Sequence, residues 1–568
     1  MFINHTKRKN FYLSSLRNKI FIGIIVVFLI CFICYLSSKS SFSINDFLII
    51  VYFSLVLQVV YCWTVVITDF YLRKQQAKEY AVDISETPLP AELPKVVYVY
   101  TTHNDFLPFR LQQNMQQTYK NLEIWISDGS DQKKYMDEID EFCKTNPQIK
   151  LYRIGGEGSK NKADNLNHFL KNSQAKFDYL LFGDADEVID KNFLNVAIRL
   201  FYCPKYSELG YITPINQTYK TNNMYTNCCK NANDFVLQQT CNNMYKLKWE
   251  GEMYGWSSLI KKEALDSIDN GLFPDSNVED SYLTFDSFRK NVSGISLPFC
   301  VCLQEYDVSV KAFQSRITRC YNWIVQYWRK PIDNFNDAHK NQIDFYYCSK
   351  FILPLCLLVF GALVGTTIFV IDYRSYFLSK TFIPLFAVCI SFDILLFLYY
   401  FIKSIGLKNA LLFPFFGLPV VLSLIRKYMR LWIDSVFFNK YYAFGGTQKR
   451  GLKRNKTSWF SKIWKELLWF FGLSCIIAGS SVLYVLFDLG RYKSVFCLFV
   501  AVCIVTGFFW LSYLSEIYMF VLGFIKVNKQ YKKSDFIYYH SNFVGNQAIA
   551  DVLVSILPEN DKAVSKTS

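Results

Sequence analysis

At 568 residues the chain is too long for one small domain, and 52% hydrophobic with 18% aromatic residues exceeds what a soluble chain of this length needs. The formal net charge of +15 does not describe a nucleic-acid surface: the basic residues collect beside apolar stretches, without a DNA- or RNA-reading motif, as cytosolic loops flanking membrane segments do. The 17 cysteines lack the short paired spacing of a zinc site. Cys203, Cys228, Cys229 and Cys241 lie near one another, but adjacent cysteines rarely both ligate one ion, so most read as reduced small hydrophobes.

The first long apolar run, 20–36, follows Lys7, Arg8, Lys9, Arg17 and Lys19 and has no small-residue cleavage site after it, which reads as a signal anchor. A second, 47–71, leads into Arg73 and Lys74, so both basic flanks lie on one side and the pair forms a membrane hairpin. After a long polar stretch come 351–371, 382–402, 467–487 and 495–525, each able to cross a hydrocarbon core of about 30 Å as a helix. The shorter run 410–424 is interrupted by Pro414, Gly417 and Pro419 and reads as a re-entrant or interfacial helix. Counting it as a dip keeps both the basic stretch 426–465 and the tail with Lys526, Lys529, Lys532 and Lys533 on the cytosolic side.

Between these sets, from Lys95, short apolar runs alternate with amphipathic ones. Strands are predicted at 96–100, 122–127, 149–154 and 179–182, and helices at 106–119, 133–142, 160–170 and 192–201. The alternation predicts a mainly parallel sheet with helices on both faces, and in such sheets ligands collect beyond the carboxyl ends of the strands. Polar residues fall at those ends: Thr101, Thr102, His103, Asn104 and Asp105 after the first strand, Asp128 and Gly129 after the second, Asp184 and Asp186 after 179–182.

These residue types suit one chemistry. A nucleotide-sugar donor carries a diphosphate whose charge must be offset before it leaves, and a hard divalent cation on carboxylate oxygens does this. Asp184 and Asp186, alternate residues at a strand end, can serve ribose or diphosphate and the metal. Lys162, in the first turn of a helix, can reach a phosphate with help from the helix dipole. Transfer with inversion also needs a base for the acceptor hydroxyl, and Asp280 in Val278-Glu279-Asp280-Ser281 is the candidate.

In this order the motifs Asn104-Asp105, Asp128-Gly129-Ser130, Lys162 through Asn167, Asp184-Ala185-Asp186 and Glu279-Asp280 resemble family 2 glycosyltransferases, within them the membrane-integrated cellulose, chitin and hyaluronan synthases. The resemblance covers about 94–328 and the flanking membrane layout. It implies a GT-A (Rossmann-like α/β) fold and a donor site of Thr102, Asn104, Asp105, Asp128, Lys162 and Asp184, with Asp128 near the uracil of a UDP-sugar. It also implies Mg²⁺ or Mn²⁺ at Asp184 and Asp186, and catalysis by Asp280 with Glu279 beside it. The segment 253–258, with Gly255 and Trp256, resembles the acceptor-side stretch of that family.

The family's Gln-x-x-Arg-Trp signature reads here as Arg316-Ile317-Thr318-Arg319-Cys320. On a helix Arg316, Arg319 and Trp323 share one face, so a guanidinium pair beside an indole can meet diphosphate and acceptor. The segment 456–459 resembles one that, in related synthases, folds back over the nucleotide. The expected organisation is a basic tail and hairpin over 1–75, a cytosolic GT-A domain over 90–310, and interfacial amphipathic helices over 311–346. A transmembrane region with its re-entrant segment follows over 347–526, then a cytosolic tail over 527–568.

The expected protein is a multi-pass enzyme of the plasma membrane with its catalytic domain in the cytosol and membrane lipids around its spans. It is an inverting, processive polysaccharide synthase of the capsule or exopolysaccharide kind, extending a β-linked glycan acceptor through its own helices. The alternative is a single transfer to a lipid acceptor.

Overall fold

The computed structural model describes residues 80, 82–155, 158–218, 251–253, 255, 257–268, 271–274 and 278–304, with isolated residues at 316, within 411–423 and within 514–521. The apolar runs 20–36, 47–71, 351–371, 382–402 and 467–487 lie outside the described residues, as do the basic stretch 426–465 and the tail. Among the described residues no helix is long and apolar enough to cross a membrane. Within 410–424, Leu411, Phe415, Pro419 and Ser423 are helical, as are Leu514, Ser515, Ile517, Tyr518, Met519 and Val521 within 495–525.

The domain is built on one eight-stranded sheet. Its strands are β1 (Val96–Thr102), β2 (Leu122–Asp128), β3 (Ile149–Arg153), β4 (Tyr179–Asp184), β5 (Val188–Ile189), β6 (Leu209–Thr218), β7 (Ser258–Lys261) and β8 (Ser293–Gln304). The helices are α1 (Pro108–Asn114), α2 (Lys133–Thr145), α3 (Lys162–Asn172), α4 (Phe193–Tyr202), α5 (Lys262–Ser267) and α6 (Glu279–Arg289). Strand order is β3-β2-β1-β4-β7-β6-β8-β5.

The four strands read from sequence form a parallel half, with β1 between β2 and β4 and β3 outside β2. The expectation of a mainly parallel sheet fails in the other half. There β7 runs antiparallel to both β4 and β6, β6 pairs parallel with β8, and β5 closes the edge antiparallel to β8. The sheet is therefore mixed, because β7 runs against both of its neighbours, β4 and β6. Since β6 is antiparallel to β7 and β7 to β4, β6 ends at the same edge as β4, and β7 begins there.

Period-two alternation sorts the side chains into two cores. Val96, Tyr98, Tyr100, Ile126 and Leu181 face one side, covered by Leu111 of α1, Ile139 and Phe142 of α2, and Phe193 to Phe201 of α4. Val97, Val99, Leu180 and Phe182 face the other, under Ala163, Leu166 and Phe169 of α3, Leu265 of α5 and Leu283 of α6. Helices do cover both faces, as the alternation requires.

A helical stretch over 82–86 joins the first core through Ile84 and Tyr80. Asp83 holds it down, accepting from Lys205 Nζ at 2.8 Å and Tyr206 Oη at 2.6 Å, while Arg199 donates to Thr87 O at 2.7 Å.

Between β5 and α4, Asp190 is 5% exposed. Its Oδ1 caps Asn192 N at 2.8 Å, and its buried Oδ2 has no hydrogen-bond partner. Burial pushes this carboxyl up to about 7. Folding therefore favours the protonated acid. Its contribution is whole below the unfolded value near 4, declines as pH rises, and is lost above about 7, a difference on the order of 4 kcal/mol. Asp190→Asn should raise the apparent melting temperature at pH 8 and leave it nearly unchanged at pH 4; equal shifts at both pH values would show that the acid's burial is not the cause.

Candidate active site

The site forms where β1, β2 and β4 end together. Register places Thr102 beside Asp128 and Thr101 beside Asp184, and Asp128 beside Arg153 at the end of β3. Motifs distant in sequence thus reach one edge through strand pairing.

The β1 and β2 ends are tied to each other. Asn104 has φ 57°, a left-handed conformation that asparagine tolerates. From there its N–H donates to Ser130 Oγ (3.0 Å) and its Nδ2 to Asp131 Oδ1 (2.6 Å), and its Oδ1 accepts from Gln132 N (3.1 Å). Asp105 Oδ1 accepts from Thr102 Oγ1 and His103 N. The exposed His103 donates from Nδ1 to Gly129 O at 2.6 Å, which ties the β1 and β2 loops together. A Cβ on Gly129 would collide with Ser159 Oγ, so glycine is required where the two loops meet.

Asp128 is wholly buried. Its Oδ1 accepts from Ser130 N (2.9 Å) and its Oδ2 from Arg153 Nε (2.7 Å), while Arg153 also holds Asp140 and the Met136 carbonyl. Of the residues expected to bind donor, Thr102, Asn104, Asp105 and Asp128 thus have their polar atoms engaged in shaping the loops. Each ionised carboxylate oxygen keeps acceptor capacity beyond these single bonds.

The α3 motif performs three tasks. Asn161 caps the helix by accepting from Asp164 N (2.8 Å). Asn165, buried, donates to Thr102 O and Ser127 O and receives Ser127 Oγ, stitching β1 to β2. Asn167 clamps the backbone of Phe273 from both sides, donating to its carbonyl at 2.9 Å and accepting its N–H at 2.7 Å. Phe273 packs edge-on to Phe182 of β4 at 4.9 Å. The clamp therefore locates the chain just before α6. Asn167→Ala should cost about 1–3 kcal/mol of stability and lower kcat more than donor affinity, measured by melting and steady-state kinetics; unchanged kcat would exclude a positioning role.

Lys162 links the pieces. Its Nζ lies 2.7 Å from Asp184 Oδ1 and donates to Gly255 O at 2.5 Å. Burial alone would lower its affinity for a proton, but Asp184, Glu187 and Glu279 more than offset this and hold it charged. Gly255 adjoins the proposed base, since a Cβ there would sit 3.0 Å from Asp280 Oδ2. One ammonium thereby spans the strand-end carboxylates and the segment against Asp280. Thr284 of α6 fastens that segment, accepting from Met253 N at 2.9 Å.

The Asp184-Ala185-Asp186 turn and the residues after it are held through their backbone: Tyr100 Oη donates to Ala185 O (2.6 Å), and Asn114 donates to Glu187 O and accepts from Ile189 N (both 2.9 Å). Asp184 is partly exposed, Asp186 is 1% exposed, and Glu279 is buried at the first turn of α6. Burial, together with Asp280, raises Glu279 well above the usual carboxylate range; burial and Asp184 do the same for Glu187.

Among the described residues no group of three or more His, Cys, Asp or Glu side chains forms a metal cage. Two carboxylates nonetheless suit Mg²⁺ or Mn²⁺, which take one or two from the protein and the rest of their oxygens from phosphates and water. The surplus of carboxylates over one lysine also favours a bound cation. Trp256, Arg319, Trp323 and 456–459 lie outside the described residues. Arg316 is helical and half-buried.

Sequence reading assigned no role to Arg153, Glu187, Ser257 or Thr284. Glu187 was visible beside Asp186, but its partner Ser257 is 70 residues away in sequence.

A sheet with polar strand ends converging on one edge, and a buried lysine among them, is an α/β domain of the kind that holds ligands beyond its carboxyl edge. Residues 96–268 match the family model described as Glycosyl transferase family 2. The match spans β1 to α5 and stops before Glu279 and Asp280.

No curated protein matches the chain. Among solved structures it is similar to the mannosyltransferase PcManGT from Pyrobaculum calidifontis, in complex with GDP-Man and Mn²⁺, with 16% identity and a TM-score of 0.44 over 67% of this chain and 99% of that one. It is also similar to S. aureus TarS, with 15% identity and a TM-score of 0.29 over 62% of this chain and 57% of that one.

Proposed function

We propose that the chain is an inverting GT-A glycosyltransferase that moves a sugar from a nucleoside-diphosphate donor to a glycan acceptor and repeats the step to build a β-linked polymer. The observation that carries this reading is the bridge from Asp184 through Lys162 to Gly255 beside Asp280. It brings a phosphate-binding cation and a general base to the two ends of one reaction coordinate.

In this mechanism Asp184 and Asp186 would hold a divalent cation, which would neutralise charge on the departing diphosphate. Lys162 adds a second positive charge on the leaving-group side. Asp280 accepts the acceptor hydroxyl's proton as the oxygen attacks the anomeric carbon from the face opposite the diphosphate. Arg316, Arg319 and Trp323 take the acceptor side.

The apolar runs on both sides of the domain support a multi-pass protein of the plasma membrane with the catalytic domain cytosolic. Their number exceeds what anchoring requires, which favours extrusion of the product over transfer to a lipid. Membrane vesicles carrying the chain, incubated with labelled UDP- and GDP-sugars and Mg²⁺ or Mn²⁺, test the reading. A long product cut by a β-linkage-specific hydrolase is the expected outcome. A single sugar on a lipid would establish the alternative, and no transfer from any donor would overturn the proposal.

A further inference from the structure

Glu187 follows the Asp184-Ala185-Asp186 turn and is fully buried. Its Oε2 accepts three hydrogen bonds: from Asp184 N at 3.1 Å, Ser257 N at 2.9 Å and Ser257 Oγ at 2.9 Å. The first donor belongs to the donor-side turn, the other two to the segment that carries Gly255. Its own carbonyl is held by Asn114, and Cys302 Sγ lies 3.6 Å from Ser257 Oγ behind it. Gly183 leaves room for the carboxylate, because a Cβ there would come within 3.0 Å of Oε2.

Glu187 therefore closes a second bridge between the two sides, parallel to that of Lys162. The lysine bridge runs through a partly exposed carboxylate and carbonyl that a substrate can compete for. The Glu187 bridge is sealed in the core. A buried carboxylate that accepts hydrogen bonds from two segments holds both in place, and removing it leaves those donors unsatisfied.

We infer that Glu187 is a positioning residue that fixes the spacing between the donor turn, Asp184 to Asp186, and the acceptor-side segment at Gly255 to Ser257. It touches neither sugar nor diphosphate and acts through Asp184 and Ser257. The inference rests on the glycosyltransferase reading above. Misplacement of reacting groups by even about 1 Å costs on the order of 10²-fold in rate, so the effect of its loss falls on kcat.

The test compares Glu187→Ala, Glu187→Gln, Ser257→Ala and the Glu187→Ala/Ser257→Ala double variant in the full-length membrane protein. Steady-state transfer is measured with the donor found for the wild type, and binding of UDP and GDP with Mn²⁺ is measured by calorimetry. Glu187→Ala should lower kcat about 10²-fold with nucleotide Kd within about threefold of wild type. Glu187→Gln, whose amide oxygen can take the same donors, should recover at least about tenfold of that loss.

The double variant should be no worse than Glu187→Ala alone, because both residues serve one contact. The inference fails if Glu187→Ala keeps its kcat, if nucleotide affinity falls as far as kcat, or if glutamine rescues nothing. A wild type that binds UDP or GDP but transfers no sugar overturns the functional reading, and this inference with it.

Discussion

Lys162→Met should lower kcat for sugar transfer by about 10³-fold, a loss of about 4 kcal/mol of transition-state stabilisation. The methionine keeps the length and the packing near Phe182, over whose ring Nζ lies at 5.7 Å, and removes the charge with its bonds to Asp184 and Gly255. That charge faces Asp184, Glu187 and Glu279 in the free protein, so its loss leaves Asp184 without the counter-ion it pairs with at 2.7 Å. Nucleoside-diphosphate affinity should fall by about tenfold, less than kcat, because the negative charge on the leaving diphosphate grows in the transition state. Lys162→Arg should not rescue, since a planar guanidinium cannot meet Asp184 Oδ1 and Gly255 O from the place of one compact ammonium. Initial rates and calorimetry decide this: a kcat within tenfold of wild type for Lys162→Met would remove the lysine from the mechanism.

Asp280→Asn should be nearly as damaging and different in kind. An amide cannot take the acceptor's proton, so kcat should fall by about 10³-fold while donor Kd stays within about threefold. Asp280 is half-buried on the first turn of α6, beside Glu279. Glu279→Gln should cost only about tenfold, because Glu279 acts on Lys162 through its field. Gly255→Ala should fall between the two, since its methyl would press on Asp280 Oδ2. Pre-steady-state transfer with saturating donor separates the cases. An Asp280→Asn protein with full activity would exclude it as the base.

The parallel half of the domain was legible because each strand is a continuous apolar run and each following helix carries its apolar stripe, so local sequence determines both. Strands β1 to β4 appear within a few residues of their expected bounds. The other half was not legible. Strand β7 has only four residues, β5 two, and β6 carries Pro214. Their direction is set by partners far along the chain.

The site divides in the same way. Asp184, Asp186 and Lys162 announce themselves by residue type after a strand or at a helix start. Arg153 looks like an ordinary strand-end cation until Asp128 is seen beside it. Ser257 looks like a turn residue until Glu187 is.

The reversal of direction at β4 and β7 brings both ends of one long connection to a single edge of the sheet. The chain leaves β6 and re-enters β7 at the edge that carries Asp184, and residues 219–257 connect the two. Both ends of that connection are fixed to the sheet: by β6 pairing with β8 at one end, and by Gly251 N to Gly294 O and Ser257 to Glu187 at the other. The pairing of β1 with β2 and β4, and of β2 with β3, involves no residue of that connection.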